Sequence, residues 1–426
     1  MQPHNLHLHS MTVPARTSNI GALAGLRILD LSRRYAYYCG KLFADMGADV
    51  ILIEQPDSGC ELRREPPYVG DRADPEYSIP FFYFNTSKRG ITLDLDQPAG
   101  RDLFKQMAAG ADLVIEDAAP GAMHARGLGY DALAALRPQL VMTSITPFGQ
   151  TGPYSLYAAD DLTLLALGGF LNMMGYPDAA PTQAAGNQAY AMGNMFGAVG
   201  SMLAVLGAQT SGAGQHVDVS IQECVTMALE NAAQFYELEQ KVRTRFAGSQ
   251  RQAGTGIFEC ANGYVYVFAG GMAAIRFWKN LVQWLKDEQV PAAATLESPQ
   301  WADMAFLNSE EAKQTFANIF AGFARGRTKE QLYRDGQARR VPLCPVNTPA
   351  DIAHNRQLAY RSFFTTLPHR LSAREVAMPG APFRLSETPW RASRPAPQLG
   401  EHNREVYAEI GVSAQALSTL AAAGVV

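Results

Sequence analysis

The chain has 426 residues, of which 47% are hydrophobic and 18% are charged. This composition is typical of a globular protein with two or three domains and excludes a disordered chain. Lys and Arg (36) nearly balance Asp and Glu (40), which argues against nucleic acid or an anionic membrane as the main partner. Five Cys without CxxC spacing favour a reducing compartment. We therefore predict a cytoplasmic protein.

Residues 1–22 are predicted to be a disordered leader. They lack the basic and apolar segments of a secretory signal, and they contain three of the eight His residues. A His-rich metal site at 6–9 is the alternative, although the rest of the chain gives no metal-ligand pattern. No run of about 18 uncharged apolar residues follows. The most apolar stretch, 162–206, is interrupted by polar residues, and we predict a buried or interface helix there.

From residue 23 the chain alternates short apolar strands with helices. Strands are predicted at 26–31, 49–54, 90–95, 112–116, 140–145 and 216–220, and helices at 40–46, 98–109, 130–136, 160–171, 192–209 and 221–241. This alternation is typical of an α/β domain with a mostly parallel sheet. We assign it to residues 23–225.

The sequence pattern changes after residue 225. Residues 255–269 alternate like an antiparallel hairpin around Asn262-Gly263, and amphipathic helices are predicted at 278–285 and 310–323. These features indicate a small α+β domain over 226–340. The last segment, 341–426, is rich in Pro and is predicted to be extended and to return to the large domain.

Eight stretches in order carry recognisable motifs: LAGLRILDLS (23–32), FADMGADVILIEQP (43–56), FNTSKRGITLDL (84–95), GLGYDAL (127–133), PQLVMTSITPFGQTGPY (138–154), SGAGQHVDVSIQE (211–223), GIFECANGYVYV (256–267) and LGEHNREVYAEIG (399–411). Together they resemble the class III CoA-transferase family, which includes formyl-CoA, carnitine and benzylsuccinate CoA-transferases and alpha-methylacyl-CoA racemase. The resemblance implies a Rossmann-like large domain built from both chain ends, a small domain, an interlocked dimer and coenzyme A bound as acyl-CoA.

The resemblance also implies where the catalytic nucleophile should be. In the family's transferases an Asp carboxylate attacks the acyl-CoA, and a mixed anhydride and then an aspartyl-CoA thioester form. Alignment on the turn that ends at Gly214 puts Tyr190 at that position, and no carboxylate lies between Asp178 and Asp218. We expect the Tyr190 ring to fill the pocket and pack against helix 192–206. A binding hydroxyl or an unusual acyl acceptor is the alternative.

Several positions that the resemblance assigns to coenzyme A also depart from the family pattern. The loop 33–38, which includes Tyr37, has three Tyr where an AGP triplet is usual, and these rings should obstruct the ligand. Gln55 replaces an Arg. Asp117 replaces an Asn and adds a negative charge next to a polyanion. Arg126 lies beside the position of an expected Arg.

Lys88 and Arg89, in NTSKRG, do match the family motif. The resemblance implies that they contact coenzyme A, and a solvated turn is the alternative. Gly149–Pro153 form a turn-rich loop after a strand, where a substrate role and simple turn chemistry remain equally open.

The racemase branch uses a His before an Asp. The matching stretch here ends in Asp160 and Asp161 and contains no His, so racemase activity is not expected. The two carboxylates are interpreted as a helix N-cap and a first-turn charge. A displaced catalytic carboxylate and a contact to substrate or to a partner are the alternatives.

These features predict a CoA-transferase subunit that acts between an acyl-CoA such as succinyl-CoA and an organic acid, for which the Tyr-rich loop favours an aryl body. Because Tyr190 replaces the Asp, we predict a non-catalytic subunit paired with a homologous Asp-bearing subunit, as the resemblance to benzylsuccinate CoA-transferase implies. A homodimer, a self-sufficient enzyme that uses another carboxylate, and a non-enzymatic acyl-CoA-binding protein remain alternatives.

Overall fold

The computed structural model describes residues 21–245, 250–271, 275–370 and 374–426. Contacts divide the chain into two units. The first comprises the described part of Met1–Phe170, Ala185–Glu230 and Tyr360–Val426, and the second comprises Leu171–Ala184 and Asn231–Ala359. Relative to the predicted small domain at 226–340, the second unit also takes in 171–184 and continues to Ala359.

A six-stranded sheet forms the centre of the first unit. Its strands are β1 (Arg27–Asp30), β2 (Asp49–Glu54), β3 (Arg89–Thr92), β4 (Leu113–Glu116), β5 (Val141–Thr146) and β6 (His216–Ser220). All neighbours are parallel, in the order β3-β2-β1-β4-β5-β6. Each predicted strand of this domain has its counterpart here, so the predicted α/β fold with a mostly parallel sheet is confirmed.

Eight helices of the first unit precede or follow these strands: α1 (Tyr37–Ala44), α2 (Ile79–Phe84), α3 (Pro98–Ala108), α4 (Ala122–Ala125), α5 (Tyr130–Ala134), α6 (Asp161–Leu167), α7 (Gln188–Ser211) and α8 (Ile221–Met227). The prediction of one helix over 221–241 was wrong. Glu230 has a φ of 56°, a left-handed conformation that an α-helix does not continue through. A separate helix, α9 (Ala232–Glu239), follows it.

Helix α7 has one buried face and one exposed apolar face. Gly197 lies so close to the sheet that a Cβ there would come 2.5 Å from Cδ1 of Ile145. Large side chains on the other face are exposed, namely Met195, Phe196, Val199, Leu203 and Leu206. Within the described residues, this helix alone is long and apolar enough to span a membrane by length and composition. Its packing on β5, β6 and α1 agrees with the prediction of a buried or interface helix.

The second unit combines an antiparallel sheet with helices. Its strands β7 (Gln250–Gln252), β8 (Thr255–Cys260), β9 (Gly263–Phe268) and β10 (Leu343–Val346) pair in the order β10-β9-β8-β7. The predicted hairpin is confirmed as β8 and β9. The remaining helices are α10 (Ile275–Asp287), α11 (Met304–Leu307), α12 (Glu310–Ala324), α13 (Lys329–Ala338), α14 (Pro349–Ala353) and α15 (Arg356–Tyr360).

Residues Tyr360–Val426 belong to the first unit, and this C-terminal segment is not simply extended. It forms an antiparallel pair, β11 (Phe364–His369) and β12 (Arg374–Pro379), and two helices, α16 (Asn403–Glu409) and α17 (Ala414–Ala422). The Pro residues cluster before 398, which leaves the last stretch free to form helices. Asp94 donates its backbone N–H to the carbonyl of Val425 at 2.8 Å, and this bond ties the C-terminus to the end of β3.

Candidate active site

A cleft opens at the carboxyl ends of β1, β2 and β4 in the first unit. In parallel α/β sheets this is where ligands bind. Its lining includes Arg33, Gln55, Glu116, Ala118 and Arg126. Two of the positions predicted to contact coenzyme A, Gln55 and Arg126, therefore lie in one cleft.

Two guanidinium groups and several carboxyl groups line this cleft. Arg126 donates to Oδ1 of Asp96 at 2.8 Å, and both side chains are partly or largely exposed. Nε2 of Gln55 donates to Oδ1 of Asp94 at 3.1 Å. Arg33, which lines the same cleft, is also exposed. One exposed and one partly exposed guanidinium group in the same cleft fit the phosphate groups of coenzyme A.

Asp117 accepts hydrogen bonds from the loop that joins β1 to α1. Its carboxylate receives the backbone N–H groups of four consecutive residues, 33 to 36, at 2.6 to 3.1 Å. Such a row of amides is an anion-binding nest. Burial raises the pKa of Asp117, and the four amides oppose that rise. The predicted clash of this charge with a bound polyanion therefore does not follow, because the protein's own amides surround the carboxylate.

The three Tyr rings of the loop 33–38 do not project into this cleft, and their predicted obstruction of coenzyme A stays a prediction. None of them lines it. The ring of Tyr37 is buried and packs against Phe84, with centroids 4.6 Å apart. Tyr38 lies against the same Phe84 ring. Because α1 begins at Tyr37, these side chains follow the helix into the apolar interior, and Arg33 is the loop residue that lines the cleft.

Lys88 and Arg89 are buried in ion pairs outside the cleft. The ammonium group of Lys88 donates to Oδ2 of Asp30 at 2.7 Å, to the carbonyl of Tyr37 and to Oδ1 of Asn85. Its three protons are thus used within the protein. Arg89 pairs with acidic side chains of β2 and α16: Asp49, Glu405 and Glu409. Neither side chain is the solvated turn that was the alternative, and a contact with coenzyme A stays a prediction that these bonds do not favour.

Tyr190 lies in the first turn of α7, which begins earlier than predicted. Its ring meets the ring of Tyr35 edge to face, with centroids 5.4 Å apart, and the Arg34 charge acts on its hydroxyl. It therefore packs against the loop after β1 and not along 192–206. The residue is 7% exposed. Burial raises the pKa of Tyr190 to about 12, although the charge of Arg34 opposes this rise.

Asn194 fixes the position of Tyr190 relative to that loop. Its Nδ2 donates to the carbonyls of Tyr35 and Tyr190, both at 2.6 Å. Its Oδ1 accepts the backbone N–H of Cys39 at 2.8 Å. One buried amide thus joins α7 to the β1–α1 connection.

Asp160 and Asp161 both stabilise helix N-termini. Asp160 caps α6, since its carboxylate accepts the N–H of Thr163 at 2.9 Å. This hydrogen bonding lowers the pKa of Asp160. Asp161 is buried, and its Oδ1 accepts the N–H of Ala189 at the start of α7 at 2.8 Å. Their geometry is that of structural caps, with Asp161 close to Tyr190 in the next helix.

Glu116 is a site residue that the sequence analysis missed. It ends β4, is 3% exposed and lines the cleft. Burial raises the pKa of Glu116 to about 7. A carboxylate at the end of a buried apolar strand is the sequence signal that could have identified it. No group of three or more His, Cys, Asp or Glu within the described ranges could hold a metal ion. The predicted His-rich site at 6–9 lies outside those ranges.

Comparison with known proteins agrees with this architecture. The model of CoA-transferase family III matches residues 23–403. The subunit BbsE of succinyl-CoA:(R)-benzylsuccinate CoA-transferase from Thauera aromatica is 39% identical over 401 residues, covering 94% of this chain and 97% of that subunit. Succinate–glutarate CoA-transferase from Agrobacterium fabrum is 29% identical, covering 91% of this chain and 95% of that enzyme.

Solved structures show the same fold. The crystal structure of a CaiB/BaiF family protein from Brucella suis superposes with a TM-score of 0.79 at 26% identity, covering 92% of this chain and all of that chain. The parallel sheet, the cleft at its carboxyl edge and the match over nearly the whole chain lead to one assignment. The chain belongs to CoA-transferase family III.

Proposed function

We propose that this chain is the non-catalytic subunit of a heteromeric CoA-transferase. The complex moves coenzyme A between an acyl-CoA such as succinyl-CoA and an organic acid with an aryl or other bulky body. The similarity to one subunit of a benzylsuccinate CoA-transferase supports the substrate class. Similarity to the alpha and beta subunits of a succinyl-CoA–L-malate CoA-transferase from Chloroflexus aurantiacus supports a heteromer.

The chemistry of Tyr190 carries this proposal. With a pKa of about 12, only about one phenol in 10⁵ is ionised at pH 7, so the hydroxyl is a poor nucleophile. An aryl ester would also fail to form the anhydride that activates an acid. The neighbouring carboxylates do not replace the missing Asp, because Asp160 and Asp161 are engaged by the backbone of α6 and α7.

The proposed role of the chain is to bind acyl-CoA and to complete a dimer. Arg33, Gln55 and Arg126 hold the acyl-CoA through its phosphates in the cleft. The exposed apolar face of α7 is the kind of surface that a partner subunit covers. That partner, a homologous chain in the cytoplasm, supplies the nucleophilic Asp. If no partner exists, a homodimer buries the same face.

The test is an activity assay of the chain alone and of the chain co-expressed with the Asp-bearing homologue from the same organism. Succinyl-CoA and (R)-benzylsuccinate are suitable probes. We expect turnover only from the pair, loss of turnover when the partner's Asp is replaced by Ala, and near-normal turnover in a pair that contains Tyr190→Phe. Robust turnover by the lone chain would contradict the proposal and favour the self-sufficient enzyme. Tight acyl-CoA binding with no activity in any pairing would favour the binding protein.

A further inference from the structure

Three polar side chains lie side by side across three neighbouring strands of the parallel sheet. Glu116 on β4 is in register with Ser144 on β5, and Ser144 is in register with Asp218 on β6. Residues in register project from the same face of a sheet. His216 lies two residues before Asp218 and therefore shares that face. The sheet thus brings a carboxyl group, a hydroxyl group and an imidazole together beside the cleft.

A hydrogen bond joins two of these groups, His216 and Ser144. Nε2 of His216 lies 2.8 Å from Oγ of Ser144, and the neighbouring Ser144 hydroxyl lowers the pKa of Glu116. A Ser hydroxyl has one hydrogen to donate and two lone pairs to accept. When His216 donates from Nε2, the Ser144 hydrogen is free to point at the Glu116 carboxylate. His216 therefore orients Ser144, and Ser144 stabilises the charged form of Glu116.

Glu116 connects this group to the coenzyme A cleft. It lines that cleft together with Arg33 and Arg126. It also lines a second cavity, of about 200 Å³, whose wall includes Ser144 and His216. Ser144 is 1% exposed, whereas His216 is exposed. A change at His216 can therefore affect the floor of the cleft without any contact between His216 and the bound ligand.

We propose that the charge of Glu116 sets how tightly the cleft holds the phosphate groups of coenzyme A, and that Ser144 and His216 are positioning residues for that charge. The inference rests on the proposed function in that it takes the cleft to bind coenzyme A. When Glu116 is protonated, the two guanidinium groups act on the phosphates without opposition from the floor of the cleft. When it is ionised, its charge repels them.

The ionisation of Glu116 falls in the neutral range because of its surroundings. Burial is the main cause of its raised pKa, the charges of Asp117 and Asp218 add to it, and the bonds from Ser144 and the backbone N–H of Ala118 oppose it. The other ionisable groups that line the two cavities with it are Arg33, Glu54, Asp96, Arg126, His124, Tyr130, Asp131 and His216. The raised pKa of Glu116 places its ionisation between pH 6 and pH 8.

The test measures the dissociation constant of coenzyme A for the full chain in a series of buffers from pH 6 to pH 8. For the wild type we expect about fivefold weaker binding at pH 8, the effect of one charge at close range in a partly solvated cleft. Glu116→Gln should lose the part of the pH dependence that comes from Glu116. The pH dependence that remains in this variant gives the contribution of the ligand's own phosphate, which is subtracted from the wild-type curve. Ser144→Ala and His216→Phe move the midpoint to higher pH, whereas His216→Gln, which keeps a donor, restores the wild-type midpoint.

Carboxyl ¹³C NMR of Glu116, assigned with the Glu116→Gln variant, gives a second readout that needs no ligand. The midpoint of this titration should move to higher pH in Ser144→Ala and His216→Phe and stay at the wild-type pH in His216→Gln. Equal pH dependence of binding in the wild type and Glu116→Gln would overturn the inference and leave the proposed function intact. A chain that binds no coenzyme A at any pH would overturn both. Unchanged NMR midpoints in Ser144→Ala would overturn the positioning roles.

Discussion

Nζ of Lys88 lies 2.7 Å from Oδ2 of Asp30, and neither side chain is exposed to solvent. The pair joins the residue before β3 to the last residue of β1. Gly40 makes room for it, since a Cβ at that position would overlap the Asp30 carboxylate. A Lys in a motif that suggests ligand binding is thus part of the protein interior.

Lys88→Met is expected to destabilise the protein by about 3–5 kcal/mol, because it leaves the Asp30 charge buried without a counter-charge. Urea denaturation measures the change. Lys88→Met combined with Asp30→Asn should recover part of the loss. If Lys88→Met lowers coenzyme A affinity while the free energy of unfolding stays the same, the structural role is wrong.

Arg126→Gln is expected to change coenzyme A affinity and to leave the stability of the protein almost unchanged. Its ion pair with Asp96 is exposed, so the free energy of unfolding should change by less than about 1 kcal/mol. The loss of a charge-assisted bond to phosphate should weaken coenzyme A binding about tenfold. Isothermal titration calorimetry checks the affinity, and Arg72→Gln, which removes another exposed ion pair, with Asp74, outside the cleft lining, is the matched control. Equal effects of the two substitutions would argue against a phosphate contact at Arg126.

Asp117→Ala should release the loop that carries Arg34 and Tyr35. The substitution removes the acceptor of four backbone N–H groups in a buried site, and we expect a loss of about 2–4 kcal/mol. Asp117→Asn keeps one acceptor oxygen, so its loss of stability should be smaller. Hydrogen exchange of the four amides reports the change directly, and unchanged protection in Asp117→Ala would contradict the assigned contacts.

The stability of the chain should depend on Glu116 between about pH 4.5 and 7. Its pKa in the folded state, about 7, lies above the ordinary value of 4.5, so the folded state binds the proton more tightly. The stabilisation of the folded state by protonated Glu116 is therefore complete below pH 4.5. It is lost as the pH rises to 7, and the free energy of unfolding falls by about 1.4 kcal/mol per pH unit. Glu116→Gln should flatten this part of the curve of unfolding free energy against pH. An unchanged slope in that variant would show that Glu116 titrates normally.

Tyr190→Asp alone is not expected to create an efficient transferase. The new carboxylate would lie in a site shaped for a phenol ring against Tyr35, and a nucleophile needs exact positioning relative to the thioester. Tyr190→Phe is the matched control, because it keeps the ring and removes only the hydroxyl. Family-like turnover by Tyr190→Asp in the lone chain would show that only the nucleophile is missing.

The strands and most helices of the first unit could be predicted because buried parallel strands are short apolar runs bounded by turns. The break at Glu230 could not, since no Gly or Pro marks that left-handed residue. The helical C-terminus was obscured by the Pro residues before it. In each case the deciding feature is a local backbone conformation with a weak sequence signal.

The site was harder to predict than the fold. Gln55 and Arg126, which the resemblance assigned to coenzyme A, lie in one cleft at the edge where the strand ends of the parallel sheet meet, and their contact with coenzyme A stays a prediction. The direction of a side chain was not predictable from its position in a motif. Lys88 and Tyr37 point into the interior, and Asp117 turns toward amides of a loop more than 80 residues earlier in the chain. Such long-range pairings appear only once the strands are assembled.

The subunit assignment is tested most directly by finding which chain carries the covalent intermediate. The co-expressed pair is incubated with succinyl-CoA, trapped by denaturation, digested and analysed by mass spectrometry. The account predicts an acyl or CoA adduct on the partner's Asp and none on peptides of this chain. An adduct on Tyr190, Asp160 or Asp161 would contradict it and identify this chain as catalytic.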